Sequence, residues 1–492
     1  MATFSQLPRE IQQAILDHLV VDKGYLTQTD RKNLLAPMRV NSFWFNHTSD
    51  ILWNNLSNLE STFAQMGFDD DRRQLYVNKI RILNLHTARI YFDLIEHLKF
   101  QSLTCLKLRG DHMGILPFLQ PNLKTLHFHS SFALTRHELR QLAVSCPNLR
   151  ELQILPLAAS NSRTLIVKPN SDPIDPGTFS AFFGSCKNLK SLTLGKKLPS
   201  FLIPAALTGL HPLSAAQLEE IVLSNIEPEA LSQESCKILE SCTSLRKFEI
   251  RDNYTGSPVP VAMVLKHLTT MASLQHLRLD HDLVGDVVEN CIRGHSAPFR
   301  NLQSLAVKGD MLSISSFLSL SMQSLTRLQL VVEDHAHHIC PSLARLQNLT
   351  YLNLVIGIKH HDSFTDGARF KPQPHDWQAI SEDMQALSTL SKLRSISIRP
   401  MNINLTAPWM TDGYFSTWTN RFPNLRDLEL DIECFSESYI RDFIIRKFIK
   451  NPSTVGMKPL QLEAGEEDPW RRSDLGPDQP RVTQVHAQAA DL

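Results

Sequence analysis

The chain has 492 residues, 42% hydrophobic and 20% charged, a balance that suits folded domains and excludes a disordered polymer. Lys+Arg and Asp+Glu both number 50, so the formal charge is zero, which argues against general binding to nucleic acid or anionic membranes. The opening MATFSQLPRE has no basic region followed by an apolar run, and no run of about 18 apolar residues occurs, so neither a secretory signal nor a membrane span is expected.

The first pattern lies between Leu7 and Leu56. Pro8 and Glu10 suit a helix's first turn, where proline lacks only an amide that has no intrahelical partner. Leu7, Ile11, Ile15 and Leu19 recur at i, i+4, i+8 and i+12 and draw one apolar stripe. Leu34, Leu35, Met38 and Val40 open a second apolar group, and Trp44, Ile51, Leu52 and Trp53 close a third. So short a segment buries too little surface to stand alone, and its apolar residues need a partner or a place against the rest of the chain.

LPREIQQAIL, then Val40-Asn41 with Trp44, then Leu52-Trp53, resemble an F-box. The resemblance implies a small all-α hook over residues 1–60 that docks a Skp-type adaptor of cullin–RING ubiquitin ligases. Carried onto this sequence, Leu7, Pro8, Ile11, Ile15, Leu19, Val40, Trp44 and Trp53 are the expected contacts or their supporting core. The chain departs from the pattern in a longer, more polar connection over 20–33 and in Pro37, which interrupts the expected second helix.

From Ile80 onward one phrase returns: apolar, two variable residues, apolar, variable, apolar. It begins at Ile80, Leu103, Leu123, Leu149, Leu189, Leu218, Leu245, Leu274, Leu302, Leu325, Leu349, Leu393 and Leu425. Successive starts lie 23, 20, 26, 40, 29, 27, 29, 28, 23, 24, 44 and 32 residues apart, mostly the leucine-rich-repeat period. The last two apolar positions are two apart and so share one side of a strand, which only stacking against the next repeat can bury. HELRQLAVSC and ESCKILESC have the spacing of the helices that lie opposite. The expected fold class is thus α/β: a leucine-rich-repeat solenoid over 61–450, with parallel strands on the concave side and helices on the convex side, preceded by the all-α F-box segment.

Ser145-Cys146, Ser185-Cys186 and Ser241-Cys242 precede strand phrases, and Pro-Asn-Leu enters them at Pro121, Pro147 and Pro423. This resembles the cysteine-containing repeats common in F-box proteins. The cysteines read as small apolar core residues, in keeping with eight Cys that lack metal-binding spacing. The family's Asn three residues past the strand stands only at Asn253; Asp111, Asp282 and Asp310 take its place elsewhere. Two long intervals, 155–188 and 355–392, read as insertions that either contact a partner or are simply tolerated. Residues 451–492 have no apolar period and read as a flexible tail.

No GxxxxGK[ST], GxGxxG or GxSxG occurs, so an enzyme is not expected. Asp334, His335, His337 and His338, and likewise His360, His361 and Asp362, cluster without matching a closed metal site, so neither a metal nor a cofactor is expected. What remains is a binding surface. Third and fifth phrase positions face the concave side, where Lys247, His276, Arg278, Arg327 and Tyr351 are the candidate substrate contacts, read either as a basic patch or as a solvated face of mixed charge. Trp409, Tyr414, Phe415 and Trp418 read as the core of a terminal repeat or as a partner-binding cluster. With the F-box resemblance, the whole implies a substrate-recognition adaptor of a Skp–cullin–F-box ligase, cytoplasmic or nuclear, with an unknown protein substrate. A leucine-rich-repeat scaffold or inhibitor without ubiquitin chemistry is the alternative.

Overall fold

The computed structural model describes residues 7–18, 28–56, 59, 63, 70–85, 95–110, 115–130, 134–155, 174–195, 198–199, 201–224, 231, 233–251, 261–283, 287–293, 295, 298–320, 322–333, 339–357, 377–378, 381–401, 405–406 and 412–430. The chain divides into two compact units, Met1–His281 and Asp282–Leu492.

The first unit opens with helices α1 (Arg9–His18), α2 (Gln28–Leu35) and α3 (Ser42–Asn54). Pro37 stops α2 and begins a short 3-10 turn to Arg39, as its missing amide requires. Asn41 then starts α3 by accepting a hydrogen bond from the Trp44 backbone N–H at 2.9 Å. Without a linker residue, α3 passes into β1 (Asn55–Leu56). The first strand therefore lies inside the segment read as the hook.

Eight further strands succeed it: β2 (Ile82–Leu85), β3 (Cys105–Gly110), β4 (Thr125–Ser130), β5 (Glu151–Ile154), β6 (Ser191–Gly195), β7 (Glu220–Ser224), β8 (Lys247–Arg251) and β9 (His276–Leu283), within which the division between units falls. Neighbours pair in parallel and in register, so Leu106, Leu126, Leu152, Leu192, Ile221, Phe248 and Leu277 form one ladder. None of the seven is more than 2% exposed, and each contributes about 1.5–3 kcal/mol by leaving water. In the second unit β10 (Ser304–Gly309), β11 (Arg327–Glu333) and β12 (Tyr351–Gly357) continue the same pattern. β13 (Trp377–Gln378) leaves it to pair with β15 (Leu405–Thr406), while β12 pairs with β14 (Ser395–Met401) and β14 with β16 (Asp427–Leu430). Each of the thirteen phrases becomes a strand that begins two residues after its first apolar residue. Both units are α/β leucine-rich-repeat arrays.

The helical segments start where local chemistry says they should. Thr135 and Glu138 make a reciprocal capping box at Arg136–Ser145, and Asp175 with Pro176 starts Pro176–Ser185. Asp310, which stands where the family has Asn, caps Met311–Leu318 through the Ser313 N–H at 2.7 Å. The residue before the phrase's first leucine carries the inter-repeat tie instead. Asn122, Asn148, Asn188, Asn348 and Asn424 each donate a side-chain amide to a backbone carbonyl one repeat earlier, on Gln101, Pro121, Pro147, Gln323 and Ser391.

The cysteine reading holds for the described residues. Cys146, Cys186 and Cys242 are buried and free, and the amides of Leu149 and Leu245 turn back onto the carbonyls of Cys146 and Cys242. Burial pushes the Cys146 thiol up to about 11 and those of Cys186 and Cys242 up to about 12, the reverse of what a nucleophile needs.

Candidate protein-binding surfaces

The hook separates its apolar residues into two sets. Leu16 and Leu34 are fully buried and Trp44 is 5% exposed, so these form its core. The Trp44 indole N–H donates to Gln12 Oε1, and the Gln12 amide donates to the Leu7 carbonyl at 2.7 Å, so a buried polar chain sets the spacing of α1 and α3. Trp53 is half-buried and stacks on Tyr76 at 4.3 Å, facing the repeats rather than solvent. Lys79 reinforces that junction by donating to Asp50 Oδ1 at 2.6 Å and Ser49 Oγ at 2.8 Å. Pro8 is exposed and Leu7 and Ile15 are half-buried. Ile11 at 49%, Leu35 at 56% and Val40 at 49% lie open. Leu19 lies outside the described residues.

On the open face of the first unit's sheet, register brings Glu220, Lys247 and His276 into one row and Val222, Glu249 and Arg278 into the next. Lys247 and Arg278 do not stand there as bare cations, because carboxylates on the same or the next row hold them. Lys247 Nζ lies 2.8 Å from Glu220 and 3.4 Å from Glu249, Arg251 lies 2.6 Å from Glu249, and Arg278 grips both oxygens of Asp280 at 2.9 and 3.0 Å. Burial alone would lower the Lys247 pKa, but Glu249 and Glu220 outweigh it and hold the ammonium above the usual lysine range. Asp280 goes the other way: burial raises its pKa despite Arg278.

In the second unit the Arg327 guanidinium lies over the Tyr351 ring at 5.5 Å, which joins two candidates in one cation–π contact. The same unit holds a buried triad that no sequence pattern announces. Lys308 lies 2.9 Å from Asp282 and 2.7 Å from Glu333, with the lysine and glutamate side chains under 10% exposed. Trp418 is core: it is 2% exposed, edge-on to Phe422, and its indole donates to the Met384 carbonyl. Trp409, Asn253, Asp111, both histidine clusters, much of both long intervals and the tail lie outside the described residues. Among the described residues no group of three or more His, Cys, Asp or Glu could hold a metal, and no helix is long and apolar enough to cross a membrane.

Another group of potential cations on the open face is one that sequence reading passed over. Lys107, Arg109, His127 and His129 occupy facing positions on β3 and β4. Lys107 and His127 sit at the fifth phrase position and Arg109 and His129 two residues further on, so the period could have found the first pair.

No protein-family model matches the sequence, and no curated protein matches it. Among solved structures, the chain is similar to a leucine-rich-repeat protein of Leptospira interrogans, at 14% identity and a TM-score of 0.37, over 75% of this chain and 89% of that one. It is also similar to the yeast Rad7 and Elc1 complex structure, at 13% identity and 0.36, over 80% and 92%. A plant peptide hormone receptor, RGFR1 in complex with RGF2, matches at 16% and 0.27, over 66% of this chain and 55% of its own length. Scores this low leave the fold to rest on the chain's own strands and their register.

Proposed function

We propose that this chain is a substrate-recognition adaptor of a Skp–cullin–F-box ubiquitin ligase. The hook docks the Skp-type adaptor, and through it the cullin, while the repeats hold a protein substrate, in the cytoplasm or nucleus. The observation that carries this reading is the open apolar surface of the hook. Nine large apolar side chains are exposed among the described residues, and Ile11, Leu35 and Val40 of the hook are three of them, beside a core already filled by Leu16, Leu34 and Trp44. Such a surface on a folded segment fits a partner's apolar face. In this reading the chain supplies no catalytic residue. Holding the substrate near a charged ubiquitin-conjugating enzyme raises the effective concentration, and the rate rises with it.

The test is capture of a purified Skp-type adaptor by the full chain. Ile11→Asp with Val40→Asp should abolish capture while thermal unfolding stays that of the unaltered protein. Failure of the unaltered chain to capture the adaptor, or capture that survives both changes, leaves the alternative of a leucine-rich-repeat scaffold or inhibitor.

A further inference from the structure

We propose that Arg327, on the open face of β11, receives an acidic side chain, aspartate or glutamate, carried on an extended segment of a partner protein. The site deepens the reading of the repeats as the substrate-holding arm and rests on it. The exposed Arg327 guanidinium lies over the Tyr351 ring at 5.5 Å and, among the described residues, makes neither an ion pair nor a side-chain hydrogen bond. An aromatic ring against a guanidinium covers one flat side and leaves the N–H edges free to grip a carboxylate. Parallel register sets Tyr351 and Ser395 in the same row as Arg327, and Gln329 beside Asn353 in the next. Leu328, Leu330, Leu352 and Leu354 alternate with them into the core, fully buried, and hold the platform rigid.

Charge and hydrogen bonding decide what fits. Neither flanking strand holds a carboxylate, and β10 sets only Ser304 and Ala306 beside Arg327 and Gln329. Other cations in this unit's strands are already matched: Lys308 by Asp282 and Glu333, and Arg399 by Glu429 at 3.9 Å. Asn353 is 3% exposed; its Oδ1 accepts from Arg399 at 3.4 Å, while its amide nitrogen donates to nothing among the described residues. A nearly enclosed donor without an acceptor is unfavourable, and an oxygen of the bound segment relieves it. Alternate residues on a strand lie about 6.6 Å apart, so a carboxylate on Arg327 brings the peptide groups of its own residue towards Gln329 and Asn353. One unmatched cation balances one carboxylate. A phosphate monoester, with up to two negative charges, finds no second free cation on these strands.

The full chain, immobilised without any adaptor, is offered degenerate peptide libraries with uncharged flanks and blocked ends. Their fixed central residue is glutamate, aspartate, glutamine or phosphoserine, and a further library pairs central glutamine with a free C-terminal carboxylate. The better-retained acidic library should exceed the glutamine, phosphoserine and free-end libraries at least about tenfold. Arg327→Ala and Arg327→Gln should each weaken its retention about ten- to a hundredfold. Arg293→Ala, an exposed arginine paired with Glu289, is the control and should change nothing. Unaltered thermal unfolding of all three variants separates lost binding from lost fold. Retention of glutamine, phosphoserine or the free chain end that equals the acidic libraries, or indifference to both Arg327 changes, overturns the proposal. Because no adaptor is present, that failure would leave hook capture untouched, and failed hook capture would leave this result untouched.

Discussion

The Asn148 side-chain amide donates to the Pro121 backbone carbonyl at 3.0 Å, one repeat earlier. The contact is exposed, so its net contribution is modest, about 1 kcal/mol. Asn148→Ala should lower the thermal midpoint slightly. Leu152→Ala, in the fully buried ladder beside it, should cost about 2–5 kcal/mol. Calorimetry on the two variants checks the ranking, and equal losses would refute it.

Core and contact residues of the hook part company under substitution. Trp44→Ala removes a buried indole and leaves Gln12 Oε1 without its donor, so about 3–5 kcal/mol and adaptor capture should be lost together. Ile11→Asp should remove capture alone, since surface changes cost within about 0.5 kcal/mol. Unfolding curves set beside pull-downs read out the difference.

Lys308 should be the most sensitive polar residue in the second unit. Lys308→Met leaves Asp282 and Glu333 facing one another and should cost about 3–5 kcal/mol near neutral pH. Burial lowers the Lys308 pKa, but its bonds to Glu333 and Asp282 outweigh this and raise it above 10.5. Folding therefore binds that proton more tightly; the stabilisation is complete below the unfolded lysine pKa and lost as pH rises through the folded one. The gap between variant and parent should therefore narrow as pH rises through the folded lysine pKa. Urea midpoints across pH measure this, and a gap that stays constant through that rise would count against the triad.

Glu249 predicts the opposite limb. Burial raises its pKa, but Arg251 and Lys247 outweigh that and hold it below the usual glutamate value. Its stabilisation is present above the unfolded pKa and lost as pH falls through the folded one. Arg251→Ala should destabilise the fold at neutral pH and progressively less in acid, as seen in the same urea series.

Cys186 and Cys242, with thiols near 12, should resist a thiol reagent in the native protein and react only on unfolding. Labelling followed by mass spectrometry checks this, and rapid native labelling would contradict their burial.

Strands were legible because each phrase repeats the same two-residue alternation, and thirteen aligned copies outweigh the ambiguity of one. The strand at Asn55 was not, since two residues carry no period and come directly after a helix. Pairing on the open face was hidden for another reason. Lys247 and Glu249 are near in sequence, but Glu220 reaches them only through register, as Asp282 and Glu333 reach Lys308. The two roles of the hook's apolar residues also needed three dimensions: Trp44 and Ile11 belong to one pattern, yet one is enclosed and the other open.

The passage of α3 into β1 at Asn54–Asn55 has a mechanical outcome. With Trp53 clamped on Tyr76 and Lys79 fastened to Asp50, there is no swivel between handle and blade. Whatever grips the front helices sets the bearing of the strands in that unit; in the proposed adaptor, reach to a target lysine would then come from slack in the cargo or in the rest of the assembly.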